Sequence, residues 1–89
     1  MNNVIQMPRA VNGIYEILII MPKLFEEIPP VIQALRENKS VLLNLTMMER
    51  AQAQRAIDFV TGGAYSIEGY QERIGESVFL FTPSSVKVS

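Results

Sequence analysis

The period of apolar positions changes several times along the chain, and each change marks an element. Ile14 to Met21, IYEILIIM, is a β-branched run of strand length that Pro22 stops. In KLFEEIPPVIQALREN, Val31, Ile32 and Leu35 recur at helical spacing. Pro29 and Pro30 lack N–H donors and push the residue before each toward extended geometry. Either a regular helix begins near Pro29, or an initial turn from Phe25 is bent there. Asn38 suits a left-handed C-cap. SVLLNL, residues 40–45, reads as a second strand, and TMMERAQAQRAIDFVTGG, residues 46–63, as a second helix. Thr46 and Glu49 have the spacing of a capping box, and Ala51, Ala53 and Ala56 raise helix propensity. Gly62 or Gly63 supplies the left-handed residue that ends this helix. AYSIE, YQERI and VFLFTP then read as three short strands. Gly69 marks the first turn, and Gly75-Glu76 resembles the Gly-X of a tight hairpin. Pro83 closes the last strand, and SSVKVS is at most a short edge pairing.

The order β-α-β-α-β-β-β predicts an α/β, two-layer sandwich: one mixed sheet of about five strands with two helices packed on it. Its β-α-β start implies a parallel first pair. Residues 1–13 lack periodicity and end in the turn signal Asn12-Gly13, so they read as a flexible lead-in to a domain over 14–89. The first residues lack the apolar stretch of a signal peptide. No run approaches the roughly 18 apolar residues of a membrane span.

Two helices cover one face of such a sheet, and the alternation of strand side chains exposes the other to inspection. Glu16, Leu18 and Ile20 oppose Tyr15, Ile17 and Ile19; Leu42 and Asn44 oppose Val41, Leu43 and Leu45; Phe79 and Phe81 oppose Val78 and Leu80. Neither face is polar, although an antiparallel sheet open to water shows a polar side. A second copy covering the spare face is the expectation, with Leu18, Ile20 and Leu42 as its contacts. A tail or a neighbouring domain is the alternative cover. The second helix also carries two stripes. Ala53, Ala56, Ile57 and Val60 form a core face. Met48, Gln52, Arg55 and Phe59 run offset from it at intervals of 4, 3 and 4. Phe59 is either core or a hydrophobic anchor flanked by Arg55 and an adaptable Met48, the mixture found at binding hot spots. The small residues Ala56, Gly62 and Gly63 would let another backbone approach.

Composition narrows the chemistry. Hydrophobic residues make up 48% against 19% charged, apolar enough for so small a domain to favour self-association. The net charge is −1, with basic and acidic residues spread along the chain, so there is no cluster to track a phosphate backbone. Neither Cys nor His occurs, which removes disulfides, thiolate or imidazole metal sites and the commonest general base. No phosphate loop, dinucleotide fingerprint or metalloprotease motif is present. Glu26-Glu27 and Glu72/Glu76 are carboxylate pairs best read as solvated surface. Asp58 close to a helix C-terminus is an oddity, because the macrodipole disfavours an acid there. The expectation is a non-enzymatic, self-associating module without cofactor or metal.

SVLLNL, AQRAIDFVTGGAYSI and QERIGESVFLFTPSSVKVS resemble the conserved C-terminal domain of the SepF family of bacterial cell-division proteins. The match covers about Ile14 to Ser89. The resemblance implies a cytoplasmic protein at the division site that binds the C-terminal peptide of the tubulin-like FtsZ. It also implies dimers able to polymerise, which help assemble the division ring and tether it to the membrane. Carried over, Phe59 with Gln52 and Arg55 falls in the FtsZ-binding region, and Gly62 at the self-association contact. Leu24 stands where relatives often have a capping Ser, leaving the first helix start weaker. Family members usually begin with an amphipathic membrane-binding helix, a pattern residues 1–13 lack; membrane contact is expected only through an N-terminal segment absent from this chain. The alternative is a small nucleic-acid-binding module of the Alba type, against which the scattered charge argues.

Overall fold

The β-branched run before Pro22 and the leucine-rich run at residues 40–45 pair as neighbours within the sheet. The computed structural model describes residues 2–6 and 16–84. Its elements are strand β1 (Asn2–Gln6), strand β2 (Glu16–Ile20), a 3₁₀ turn (Phe25–Glu27), helix α1 (Pro29–Arg36), strand β3 (Ser40–Asn44), helix α2 (Arg50–Ser66), strand β4 (Tyr70–Arg73) and strand β5 (Val78–Thr82). The sheet has the order β1-β2-β3-β5-β4, parallel between β2 and β3 and antiparallel elsewhere. From β2 onward the order β-α-β-α-β-β is the one the sequence predicts. Two placements differ. Ala64 to Glu68 form no strand, and the fifth strand is β1, which lies inside the stretch read as a lead-in. The turn expected at Asn12-Gly13 and the edge pairing expected of residues 85–89 lie outside the described residues.

Both alternatives for the first helix are realised together. Phe25–Glu27 makes the bent initial turn, and the regular helix starts at the Pro pair, whose missing N–H groups would be unpaired there in any case. Leu24 offers no side-chain acceptor, but Glu27 Oε2 accepts from the backbone N–H groups of Leu24 at 3.1 Å and Lys23 at 3.3 Å. That acidic side chain satisfies donors a capping Ser would leave free. Asn38 closes the other end in the left-handed region, φ 65°, as expected. Beside it, a hydrogen bond from Gln33 and the Lys39 ammonium at 3.5 Å hold the exposed Glu37 carboxyl below its ordinary range.

The second helix departs from its sequence reading at both ends. The Thr46–Glu49 capping box does not form. Instead the Thr46 N–H and hydroxyl both donate to Asn44 Oδ1, at 3.0 and 2.6 Å, and the helix begins after Glu49. Asn44, at the end of a strand, competes successfully for Thr46 because its carbonyl needs only a local turn to reach it. At the C-terminus the helix runs through Gly62 and Gly63 to Ser66. The left-handed residue is Glu68, φ 60°, and the Gly69 N–H closes the helix on the Ala64 carbonyl at 2.8 Å. Asp58 therefore sits mid-helix, accepting from Gln54 Nε2 at 3.0 Å, and its apparent misplacement disappears.

The register assigns the faces. Leu18 lies beside Val41 and Ile20 beside Leu43, while Phe81 and Phe79 lie across from the same two β3 residues. This face meets Val31, Ala34 and Leu35 of α1 and Ala56, Val60 and Ala64 of α2 in one core, with Ile28 fully buried at the join. Gly63 has a packing role: a Cβ there would collide with Ile32 Cδ1 of α1. At Gly62 an added Cβ meets nothing within 4 Å.

Candidate functional site

The 3₁₀ turn ahead of α1 brings Phe25 against the middle of α2. Its ring meets that of Phe59 edge to face, with centroids 5.7 Å apart and planes at 72°. The Arg55 guanidinium lies over the Phe25 ring at 4.6 Å and donates to Gln52 Oε1 at 3.4 Å. Gln52, Arg55 and Phe59 thus share one flank of α2, as helical spacing requires. Phe59 is 44% exposed and is not a core residue. Beside Phe25, Leu24 is 57% exposed. The result is an apolar, aromatic ledge with one cation stacked on it, able to grip an apolar side chain while offering the guanidinium to a carboxylate or carbonyl. The sequence points to Phe25 only as a bent turn and to Leu24 only as a weak helix start; their place in the ledge has no signal there, because a 3₁₀ turn imposes no apolar period.

Met48 does not join this ledge. It lies in the turn before α2, its N–H bonded to the Leu45 carbonyl at 3.1 Å, and its side chain is buried in the core. The spacing of 4 from Gln52 places two residues on one flank only if the helix includes both, and this helix starts at Arg50. Ala56 is fully buried between α2 and the sheet, so it presents no surface to a second copy. Gly63 is occupied with Ile32, and Gly62 stays open on the exposed side of α2.

The spare face of the sheet also differs in membership from the sequence reading. Leu18 and Ile20 point toward the helices, Ile20 at 4% exposure, and cannot meet a partner. The parallel register pairs Ile19 with Leu42, and Leu42 lies across from Leu80. Ile17, Ile19, Leu42, Val78 and Leu80 therefore share the helix-free face, all partly buried. Of Leu18, Ile20 and Leu42, only Leu42 lies on the helix-free face.

A third feature is an open cleft of about 670 Å³ between α2 and the β4–β5 hairpin. Thr61 Oγ1 bridges it to Gln71 Oε1 at 2.8 Å, and Arg50, Arg73, Asp58 and Glu76 line it with mixed charge. The hairpin closes with the Ile74 N–H on the Val78 carbonyl, wider than a two-residue turn, and Arg73 donates to the Gly75 and Glu76 carbonyls within it at 3.1 and 2.8 Å. Among the described residues no group of three or more carboxylates is placed to hold a metal ion. No described helix is long and apolar enough to cross a membrane.

Comparison with known proteins gives one consistent match. Residues 17–88 fit the family model described as Cell division protein SepF. A protein of that name from Trichormus variabilis is 66% identical over 89 residues, which is all of this chain and 45% of the relative. Those from Trichodesmium erythraeum and Synechocystis are 64% and 58% identical over 88 residues, or 42% and 47% of their own length. The chain spans less than half the length of these curated relatives.

Proposed function

The chain belongs to the SepF family of cell division proteins, and from that premise we propose that it is a non-enzymatic adaptor that binds the C-terminal tail of FtsZ and self-associates, helping to assemble and align the division ring at the division site in the cytoplasm. Tethering to the membrane belongs in this reading to the part of the longer relatives that this chain does not span.

The observation that carries the partner site is the exposed Phe59 packed edge to face on Phe25 with Arg55 stacked beside it. A Phe59 ring left 44% exposed at a helix flank forfeits burial that a partner would supply, and an ordered aromatic with an adjacent Arg is the composition of interface hot spots. A short peptide tail suits a ledge better than a deep cavity does. Its apolar residues would cover Leu24 and Phe59, and its backbone carbonyls or an acidic group would meet Arg55. The mixed charge of the hairpin cleft offers no track for a nucleic-acid backbone, which favours the adaptor over the Alba-like alternative.

Self-association is assigned to the helix-free face, centred on Ile19 and Leu42. Gly62 is kept as a contact for assembly beyond the dimer, because open space over an exposed helix backbone permits close approach. The decisive experiment is a calorimetric titration of the chain with an FtsZ C-terminal peptide, run beside labelled duplex DNA. Saturable peptide binding lost in Phe59→Ala supports the reading. Tight, salt-sensitive DNA binding with none to the peptide would replace it.

A further inference from the structure

Thr82 lacks something that the rest of the fold does not provide. It is 4% exposed, yet its Oγ1 has no hydrogen-bond partner among the described residues. A buried hydroxyl left unpaired is unfavourable, and native structures hold few of them. Thr82 lines a pocket of about 200 Å³ together with Tyr70, Glu72, Leu80 and Gln71, where β4 forms the edge of the sheet. The Gln71 side chain is engaged with Thr61 on the helix side, so Gln71 contributes backbone here. Register places Tyr70 across from Thr82 and Glu72 across from Leu80, all four on the helix-free face.

Size and charge restrict the occupant. Small-molecule sites run to roughly 300–1,000 Å³, so this pocket suits one side chain. Among the described residues lining it, Glu72 carries the only charge, and no hydrogen bond or ion pair among those residues engages its carboxylate. Leu80 supplies an apolar surface for a side-chain stem and Tyr70 a half-exposed ring. An apolar stem with a cationic, donor-bearing head satisfies all of these at once.

The adjoining backbone says how such a side chain would arrive. The Ile74 N–H donates to the Val78 carbonyl at 2.9 Å. By the alternation of antiparallel pairs, Glu72 and Tyr70 also bond toward β5, which turns the N–H and C=O groups of Gln71 and Arg73 outward. A strand laid along that edge would bond to them, and its residue beside Glu72 would share the helix-free face.

We propose that the outer edge of β4 and the Tyr70–Glu72–Leu80–Thr82 pocket form a docking site for an extended peptide strand carrying a cationic side chain beside Glu72. The head donates to the Glu72 carboxylate and to Thr82 Oγ1, pairing the orphaned hydroxyl. This site is separate from the Phe59 ledge, which lies in the helix layer. Its outer edge, on β4, stands about 10 Å, two strand spacings, out from Leu42 on β3. Leu80 in the pocket lies directly across from Leu42, so the two sites adjoin at Leu80 and only the β4 edge is taken by the peptide.

The test is an NMR titration of the 89-residue chain with a blocked threonine-valine-arginine-valine-threonine peptide, and with the same peptide carrying neutral citrulline for arginine. The arginine peptide should shift resonances of residues 70–73 and 80–82 and bind about tenfold tighter than the citrulline peptide, the worth of one charge-assisted contact. Glu72→Gln should abolish that preference. Thr82→Val should weaken the arginine peptide severalfold without lowering the melting temperature. Ile19→Lys, in the self-association centre but two strands from Leu80, should bind it like the parent. Equal affinity for the two peptides, shifts centred on Phe59, or no binding at millimolar peptide would overturn the proposal. So would Thr82→Val affinity equal to the parent's, or lost binding in Ile19→Lys.

Discussion

Phe59 meets Phe25 edge to face at 5.7 Å, a contact between the middle of one helix and the irregular turn that precedes the other. The pair ties the 3₁₀ turn to α2 while leaving much of Phe59 in water. Such pairs add about 0.5–1.5 kcal/mol beyond area burial. A double-mutant cycle on Phe25→Leu and Phe59→Leu, read by urea unfolding, should give a coupling energy in that range. Zero coupling would mean that the ring contact is incidental.

Phe59→Ala should lower stability by less than the roughly 3–5 kcal/mol of a core Phe, because the side chain is 44% exposed. Its effect on FtsZ-peptide binding should exceed about 2 kcal/mol, the mark of a hot spot. Arg55→Glu should weaken binding with little change in melting temperature. Affinity and thermal unfolding measured on the same variants separate the two readings: a destabilised Phe59→Ala whose folded fraction binds normally would end the case for the ledge.

The adjacent glycines should respond in opposite ways. Gly62→Ala has open space and gains helix propensity, so it should stabilise the domain by about 0.5–1 kcal/mol. Gly63→Ala gains the same propensity but displaces Ile32 from α1, and should be neutral or destabilising. Thermal melts of the two variants check the contrast. Gly62→Lys should fold normally and, if the exposed backbone is a polymer contact, reduce light scattering of assembled material.

The two apolar faces of β2 and β3 give another contrast. Leu42→Lys places its charge on the helix-free face and should shift sedimentation toward monomer with a small change in melting temperature. Ile20→Lys places a charge in the core and should unfold the domain, since an unpaired buried charge costs several kcal/mol. A dimer that survives Leu42→Lys would move self-association elsewhere.

Asn44→Ala should lower stability by about 1 kcal/mol, since two hydrogen bonds from Thr46 end on its carbonyl. Glu49→Ala should do little, because its side chain makes no cap bond. Urea midpoints of the two variants test which residue organises the entry to α2.

The sequence by itself determined the α/β layering, the parallel β2–β3 pair and the left-handed Asn38, and it narrowed the entry into α1 to a start at the Pro pair or a bent turn from Phe25. Each rests on local physics: apolar period, a missing N–H, or a residue tolerant of positive φ. It also placed Gln52, Arg55 and Phe59 on one helix flank, because spacing within a continuous helix is fixed. The tertiary structure decided the rest. Gly62-Gly63 has every local mark of a helix end, yet α2 continues because Val60 and Ala64 are buried one turn apart against the sheet and Gly63 lets Ile32 in. Local propensity at two glycines disfavours the helix by only about 1 kcal/mol each, less than the burial of the following turn returns. Which strand face is spare was equally beyond the sequence. Both faces of β2 and β3 are apolar, and only the register with β5 and the seat of the helices turned Leu18 and Ile20 inward and left Ile19 and Leu42 outside. Phe25 entered the ledge for the same reason: its partner lies more than thirty residues away, and a contact made across the chain leaves no period within it.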